Sequence, residues 1–289
     1  MKADSKVKEY YRLAKPGIIY GNTMTAVAAF LFASRWHVDI TLLLATMLGI
    51  AGVIGSACVF NNYLDRDIDA RMARTKDRAL ARGAISGSAA LSYATALGVL
   101  GFGLLFFFVN TLTTLVALIG FIVYVLLYTF SKRHSPLGTL VGSISGATPI
   151  VVGYTAVADR LDSVALLLFL ILVTWQMPHF YAIAIRRLGE YSAAGIPVRP
   201  LVSGVRITKI QIAAYIVLYI FAVTALTVIG AAGYVYHAVT ILSGVIWLGI
   251  AIQGFRTKND TEWARKLFLF SLIVLLSFSV ALALSPILW

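Results

Sequence analysis

Apolar residues in this chain run in blocks of about 20, and a block of that length has few structural options. Each is long enough to cross the roughly 30 Å hydrocarbon core of a bilayer. Inside hydrocarbon every backbone N–H and C=O must pair within the protein, and a helix supplies that partner locally. The blocks are therefore read as transmembrane helices, nine in all, near positions 17–35, 40–60, 89–109, 112–130, 138–157, 163–185, 208–230, 234–254 and 267–286. Composition agrees. Of the 289 residues 60% are hydrophobic and 12% are charged, about half the charge of a soluble domain. The fold class expected is all-α, a polytopic membrane bundle forming one domain over 1–289.

The few charges are placed unevenly. Basic residues fall in the N-terminal tail (Lys2, Lys6, Lys8, Arg12, Lys15) and after span two (Arg66, Arg71, Arg74, Lys76, Arg78, Arg82). They follow span four (Lys132, Arg133), span six (Arg186, Arg187, Arg199, Arg206, Lys209) and span eight (Arg256, Lys258, Arg265, Lys266). Of the 24 Lys and Arg residues only Arg35 and Arg160 lie on the other side. Cytoplasmic loops carry this excess, so the N-terminus is expected in the cytoplasm and the C-terminus outside, in the cytoplasmic membrane. The same placement explains the net charge of +12 without nucleic acid, which is not expected as a partner. Two cytoplasmic loops are long, 61–88 and 186–207. They follow spans two and six, which suggests two four-helix halves of like orientation with a ninth helix added.

Chemistry concentrates in the first of those loops, Asn61-Asn62-Tyr63-Leu64-Asp65-Arg66-Asp67-Ile68-Asp69. At about 100° per residue, Asn62, Asp65 and Asp69 fall within about 60° of one another on a helix, Asn61 borders them, and Asp67 points nearly opposite. A stripe of carboxylate and amide oxygens at a membrane boundary suits magnesium, which keeps some waters and completes its shell with phosphate oxygens. Boundary carboxylates are costly unless used. Arg71, Arg74, Lys76 and Arg78 follow within ten residues of the stripe. A diphosphate would be repelled by the stripe alone, and needs both metal and cations. The pair of features therefore points to a metal–diphosphate site.

Asn61-Asn62-x-x-Asp65-x-x-x-Asp69 resembles the first aspartate-rich motif of the UbiA superfamily of intramembrane prenyltransferases, with Asn62 in place of the usual first Asp. The longer string through Arg74-Thr75-Lys76-x-Arg78 is similar to the branch that farnesylates haem. Further matches are Lys15-Pro16, Ser145-Gly146-Ala147-x-Pro149, Gly153-Tyr154, Trp175-x-x-Pro178-His179-Phe180 and Tyr191-x-x-Ala194-Gly195-Ile196-Pro197. The last three spans are generic.

The resemblance implies a UbiA-like bundle with a central cavity open to the cytoplasmic side. It implies transfer of farnesyl from farnesyl diphosphate to a vinyl group of haem b, followed by water, giving haem O and diphosphate with Mg2+ as cofactor. It places Asn62, Asp65 and Asp69 on the metal, with Asn61 assisting, and Arg74, Lys76 and Arg78 on the diphosphate, with Lys15, Lys132, Arg133 and Arg186 behind them. Haem A synthase or a terminal oxidase would receive the product. The wider family has a second aspartate-rich motif after span six. This chain has His179, Arg186 and Glu190 there, within about 40° on a continued helix. Glu190 is the acid available for a second metal. His179 is expected to bind haem iron, to contact diphosphate, or to cap the kink at Pro178. Asn22 and Gln176 are expected to hydrogen-bond between helices. A quinone-precursor prenyltransferase and a transporter are the alternative readings. The missing second motif speaks against the first, and charges gathered at one face speak against the second.

Overall fold

A computed structural model of the protein describes residues 3–72 and 75–288. Among the described residues, nine helices are long and apolar enough to cross a membrane. A short helix α1 (Ala3–Leu13) precedes them. The first half holds α2 (Pro16–Ser34), α3 (Ile40–Leu64), the one-turn α4 (Arg66–Asp69) and α5 (Gly87–Phe108). Its fourth span is continuous but changes winding: α6 (Thr111–Ile122), a π-helical turn (Val123–Tyr128) and α7 (Thr129–His134). The second half holds α8 (Gly138–Ala158), α9 (Ser163–Arg186), the short α10 (Leu188–Ala193) and α11 (Arg199–Val202), α12 (Gly204–Val228) and α13 (Tyr234–Gln253). The ninth span is α14 (Asp260–Leu284).

Capping residues set where the spans begin. Asp39, Ser86, Asn110, Asp162 and Asn259 each stand just before a span, with a side-chain oxygen accepting a free N–H of the first turn. This is why α14 starts seven residues before the apolar block expected from 267: Asn259 caps it, and the Glu262–Lys266 pair lies along its first turns. Likewise α3 runs through Asn61 and Asn62 to Leu64, because those amides have partners inside the protein.

Each long helix packs on the next one in the chain, and α14 packs on α13, α9 and α2. The halves meet through α2 and α6 against α8. Within each half the second and third spans pair, α3 with α5 and α9 with α12. Glycines permit the closest approaches. A Cβ on Gly101 would lie 2.7 Å from the backbone N of Val53, and one on Gly153 only 2.0 Å from the carbonyl of Ala26. Gln176 lies over Gly146 and donates to the Ser143 carbonyl, joining α9 to α8 as expected of a membrane amide. Asn22 differs from its expectation. It donates to Ile18 O within α2, so the amide is satisfied by its own helix.

The loops after α3 and α9 touch. Ile68 and Met72 pack with Ala194, flanked by Tyr191 and Ile196. This small apolar cluster holds the acidic segment against the second half.

Candidate active site

The acidic segment continues α3 with a break at Asp65, whose φ of −93° and ψ of 2° interrupt the helix for one residue. Hydrogen bonds still run from Asp65 N to Asn61 O and from Asp69 N to Asp65 O. Asn61, Asn62, Asp65 and Asp69 consequently share the inward face, each 5% exposed or less. Asp67 points out, with half of its side chain in solvent.

Cations from three separate segments converge on this stripe. Lys15 Nζ donates to Asn61 Oδ1 at 2.9 Å. Arg78 Nη1 donates to Asn62 Oδ1 at 3.1 Å and to Asp69 Oδ2 at 2.7 Å. Lys132, at the end of α7, is in direct contact with Asp65. Arg133 reaches Asp65 at 3.4 Å and grips both oxygens of Asp67 at 2.9 and 3.0 Å. The Arg133 guanidinium holds the Asp67 carboxyl below its usual pKa range. The remaining amide groups anchor the scaffold: Asn61 Nδ2 donates to Thr129 Oγ1 and Asn62 Nδ2 to Leu13 O. The stripe is thereby covered by its own cations.

Lys15 is built in with care. It sits between α1 and α2 in the left-handed region, φ 54°, a conformation costly for a residue with a Cβ. Burial lowers its pKa from 10.5 to about 8, opposed by the nearby Cys58 and Asp65 and helped by Arg78 and Lys132.

The sequence ranks Arg74, Lys76 and Arg78 first among the cations, and the arrangement differs. Arg78 is on the stripe. Lys76 is exposed. Arg74 lies outside the described residues. Lys15, Lys132 and Arg133 take the leading places, because α7 ends across α3 and the α1–α2 junction passes over it. Arg186 is elsewhere, with its guanidinium 5.7 Å from the Phe268 ring centroid. Glu190 pairs with Arg187 at 3.1 Å. No group of three His, Cys, Asp or Glu gathers among the described residues, so Glu190 does not join Asp65 and Asp69 in a second acidic cluster. His179 places Nδ1 2.7 Å from Ser271 Oγ on α14, so that nitrogen serves the helix seam and not the carbonyl freed at Pro178.

Three contributions have no sequence signal. The π-helical turn, of a kind that recurs at functional sites, brings Tyr124 and Tyr128 into a stack 5.3 Å apart. Lys132 Nζ lies 4.9 Å from the Tyr128 ring centroid. Thr75, fully buried, donates to Asp69 O and ties the loop back onto the stripe.

The donor set fits a hard divalent cation: two carboxylates and two carboxamide oxygens on one helix end, with a metal's remaining positions open to water and phosphate. The same oxygens are at present matched by ammonium and guanidinium groups, which are the groups a diphosphate would also attract.

Residues 22–273 match the UbiA prenyltransferase family. The chain belongs to that family. Curated relatives include the protoheme IX farnesyltransferase of Serratia proteamaculans (strain 568), 50% identical over 96% of this chain and 94% of that protein. That of Edwardsiella ictaluri (strain 93-146) is 49% identical over the same shares. Among solved structures, a digeranylgeranylglyceryl phosphate synthase superposes with a TM-score of 0.83 at 18% identity, covering 99% of this chain and all of that one. A UbiA homolog from Archaeoglobus fulgidus bound to GPP and Mg2+ gives 0.68 at 15%, covering 95% and 99%. The protein is thus a multi-pass membrane prenyltransferase with the UbiA fold.

Proposed function

We propose that this UbiA prenyltransferase farnesylates haem b. The observation that carries the reading is the convergence of Lys15, Arg78, Lys132 and Arg133 on the Asn61–Asp69 stripe at the basic membrane face. The relatives named above supply the acceptor. In the reaction, the allylic C–O bond of farnesyl diphosphate breaks and its electron pair leaves on diphosphate. The vinyl π electrons form the new C–C bond. Water then takes the cation left on the vinyl-derived carbon, loses a proton, and gives the hydroxyethylfarnesyl group of haem O.

Asn62, Asp65 and Asp69 would hold magnesium with Asn61 assisting, and the metal would act as a Lewis acid on the leaving oxygens. Lys15, Arg78 and Lys132 exchange their carboxylate and amide partners for diphosphate oxygens. They stabilise charge as it develops on the leaving group, in a site with little water to screen it. Lys76 and Arg74 are further candidate cations for the diphosphate. The stacked Tyr124 and Tyr128 present ring faces that tolerate positive charge beside the ionising carbon. The apolar interior keeps water from the allylic cation until the vinyl carbon attacks. Haem is placed towards His179.

The chain acts as one catalytic domain, with its N-terminus cytoplasmic, its C-terminus outside, and loops 61–88 and 186–207 over the site. Haem A synthase or a terminal oxidase takes the product. Incubating purified protein with haem b, farnesyl diphosphate and Mg2+ should yield haem O by mass spectrometry. A prenylated hydroxybenzoate in a parallel reaction, with haem b unchanged, would replace this reading with the quinone-precursor one.

A further inference from the structure

We propose that the acceptor haem seats on the α9–α14 seam, with its iron on Nε2 of His179, a propionate on Arg186, and Ser271 fixing the imidazole tautomer. The proposal rests on the haem reading above and adds its orientation.

The tautomer follows from counting protons. Ser271 is fully buried on α14, and its hydroxyl donates to Phe268 O at 2.6 Å. A hydroxyl has one proton to give. With that proton given to Phe268 O, the 2.7 Å contact between Ser271 Oγ and His179 Nδ1 is assigned as donated by the imidazole. A neutral imidazole that carries its proton on Nδ1 has its lone pair on Nε2. Among the described residues Nε2 has no hydrogen-bond partner, and His179 keeps part of its surface accessible. Metal-binding histidines are held in this way, with one nitrogen donating to a fixed acceptor and the other left to the metal.

The ring is also fixed in plane. It stacks on Trp175 at 4.8 Å between centroids and lies 4.9 Å from Phe268. Trp175 Nε1 donates to Ser271 O, so the serine anchors both aromatic neighbours on α9.

Arg186 lies two helical turns further along α9, about 10.5 Å at 1.5 Å per residue and on the same face. Its guanidinium packs on Phe268, the ring that also borders His179. The one nearby acid in its loop, Glu190, is taken by Arg187. Arg186 has no ion pair among the described residues, and a forked guanidinium is well matched to a carboxylate. The spacing between His179 and Arg186 is of the order of that between haem iron and a propionate carboxylate. Propionates then face the basic side.

The test uses full-length protein in detergent, titrated with ferric haem b, its dimethyl ester and metal-free protoporphyrin, with farnesyl diphosphate binding measured alongside. Wild-type protein should give the electron paramagnetic resonance signature of a histidine-ligated iron, and a spectrum without a nitrogen ligand overturns the proposal. His179→Ala should weaken haem b about tenfold while sparing metal-free protoporphyrin. Arg186→Gln should weaken haem b and metal-free protoporphyrin about tenfold while sparing the dimethyl ester. Ser271→Ala should weaken haem b, and Ser271→Thr should restore it. Retained farnesyl diphosphate binding reports that each variant is folded. Equal loss of haem b and its ester in Arg186→Gln overturns the orientation. So does a loss of farnesyl diphosphate binding with haem unaffected, which returns Arg186 to the donor site and leaves the reaction standing. A wild-type protein that binds no haem b overturns the acceptor reading itself.

Discussion

Asp65 is held by Lys132 and Arg133 and Asp69 by Arg78, so removing either charge has two separable effects. Asp65→Asn or Asp69→Asn should lower turnover on the order of 10²-fold or more, through lost metal and leaving-group stabilisation. Asp65→Asn also leaves Lys132 without its carboxylate, so detergent size-exclusion must accompany the assay. Near-normal turnover by a folded Asp65→Asn protein would refute the assignment. Lys15 adds a pH dependence. With a free-enzyme pKa of about 8, it is charged below that pH and loses its charge above. Farnesyl diphosphate affinity should be flat below pH 8 and weaken by up to about tenfold per unit above it. Lys15→Arg should remove that slope, and an unchanged slope in equilibrium binding would exclude Lys15. Stability moves oppositely. The unfolded lysine binds its proton up to 10.5, so this residue's contribution rises between pH 8 and 10.5. At this scale helical geometry made the stripe legible, including the outward turn of Asp67. The order of the cations was not, because Lys15, Lys132 and Arg133 belong to loops where topology already demands basic residues. Ser271 had no signal, being one serine in an apolar span.

Among the helices, the glycine contacts set tolerances that differ sharply by position. Gly153→Ala puts its Cβ 2.0 Å from the Ala26 carbonyl, which is backbone and cannot rotate away. It should destabilise the α2–α8 packing by about 1–3 kcal/mol or more, seen as an earlier thermal unfolding midpoint in detergent. Gly17→Ala, with open space around it, should leave the midpoint unchanged or raised. Equal midpoints for the two variants would refute the tight approach. The apolar blocks gave the spans to within a few residues, except where caps extended them, as at Asn259. The π-helical turn was hidden, since Val123-Tyr124-Val125-Leu126-Leu127-Tyr128 reads as ordinary apolar helix. The turn packs against α3 and α8, and no local pattern encodes those contacts.

For the whole molecule, the bias of basic residues predicts sidedness. A reporter active only outside the cytoplasm should work when fused behind α14 and fail when placed in the loop between α13 and α14. The reverse pattern would invert the topology and move the acidic stripe to the wrong face. The two-half arrangement was legible from loop lengths alone, and the pairing of α3 with α5 and α9 with α12 gives it physical form. The closing contact was not legible, because nothing in the apolar ninth block says that it returns to α2. That contact joins the first and last spans, with no loop bridging them. It is pinned beyond the far end of α2 by Trp36 Nε1 donating to Ala283 O at 2.7 Å. In mechanical terms this seam is a joint with no connecting loop, pinned by one hydrogen bond at the rim opposite the basic end. Parting it at the basic end stretches no connecting loop, so a bulky membrane-borne molecule could pass there while the other helices stay packed.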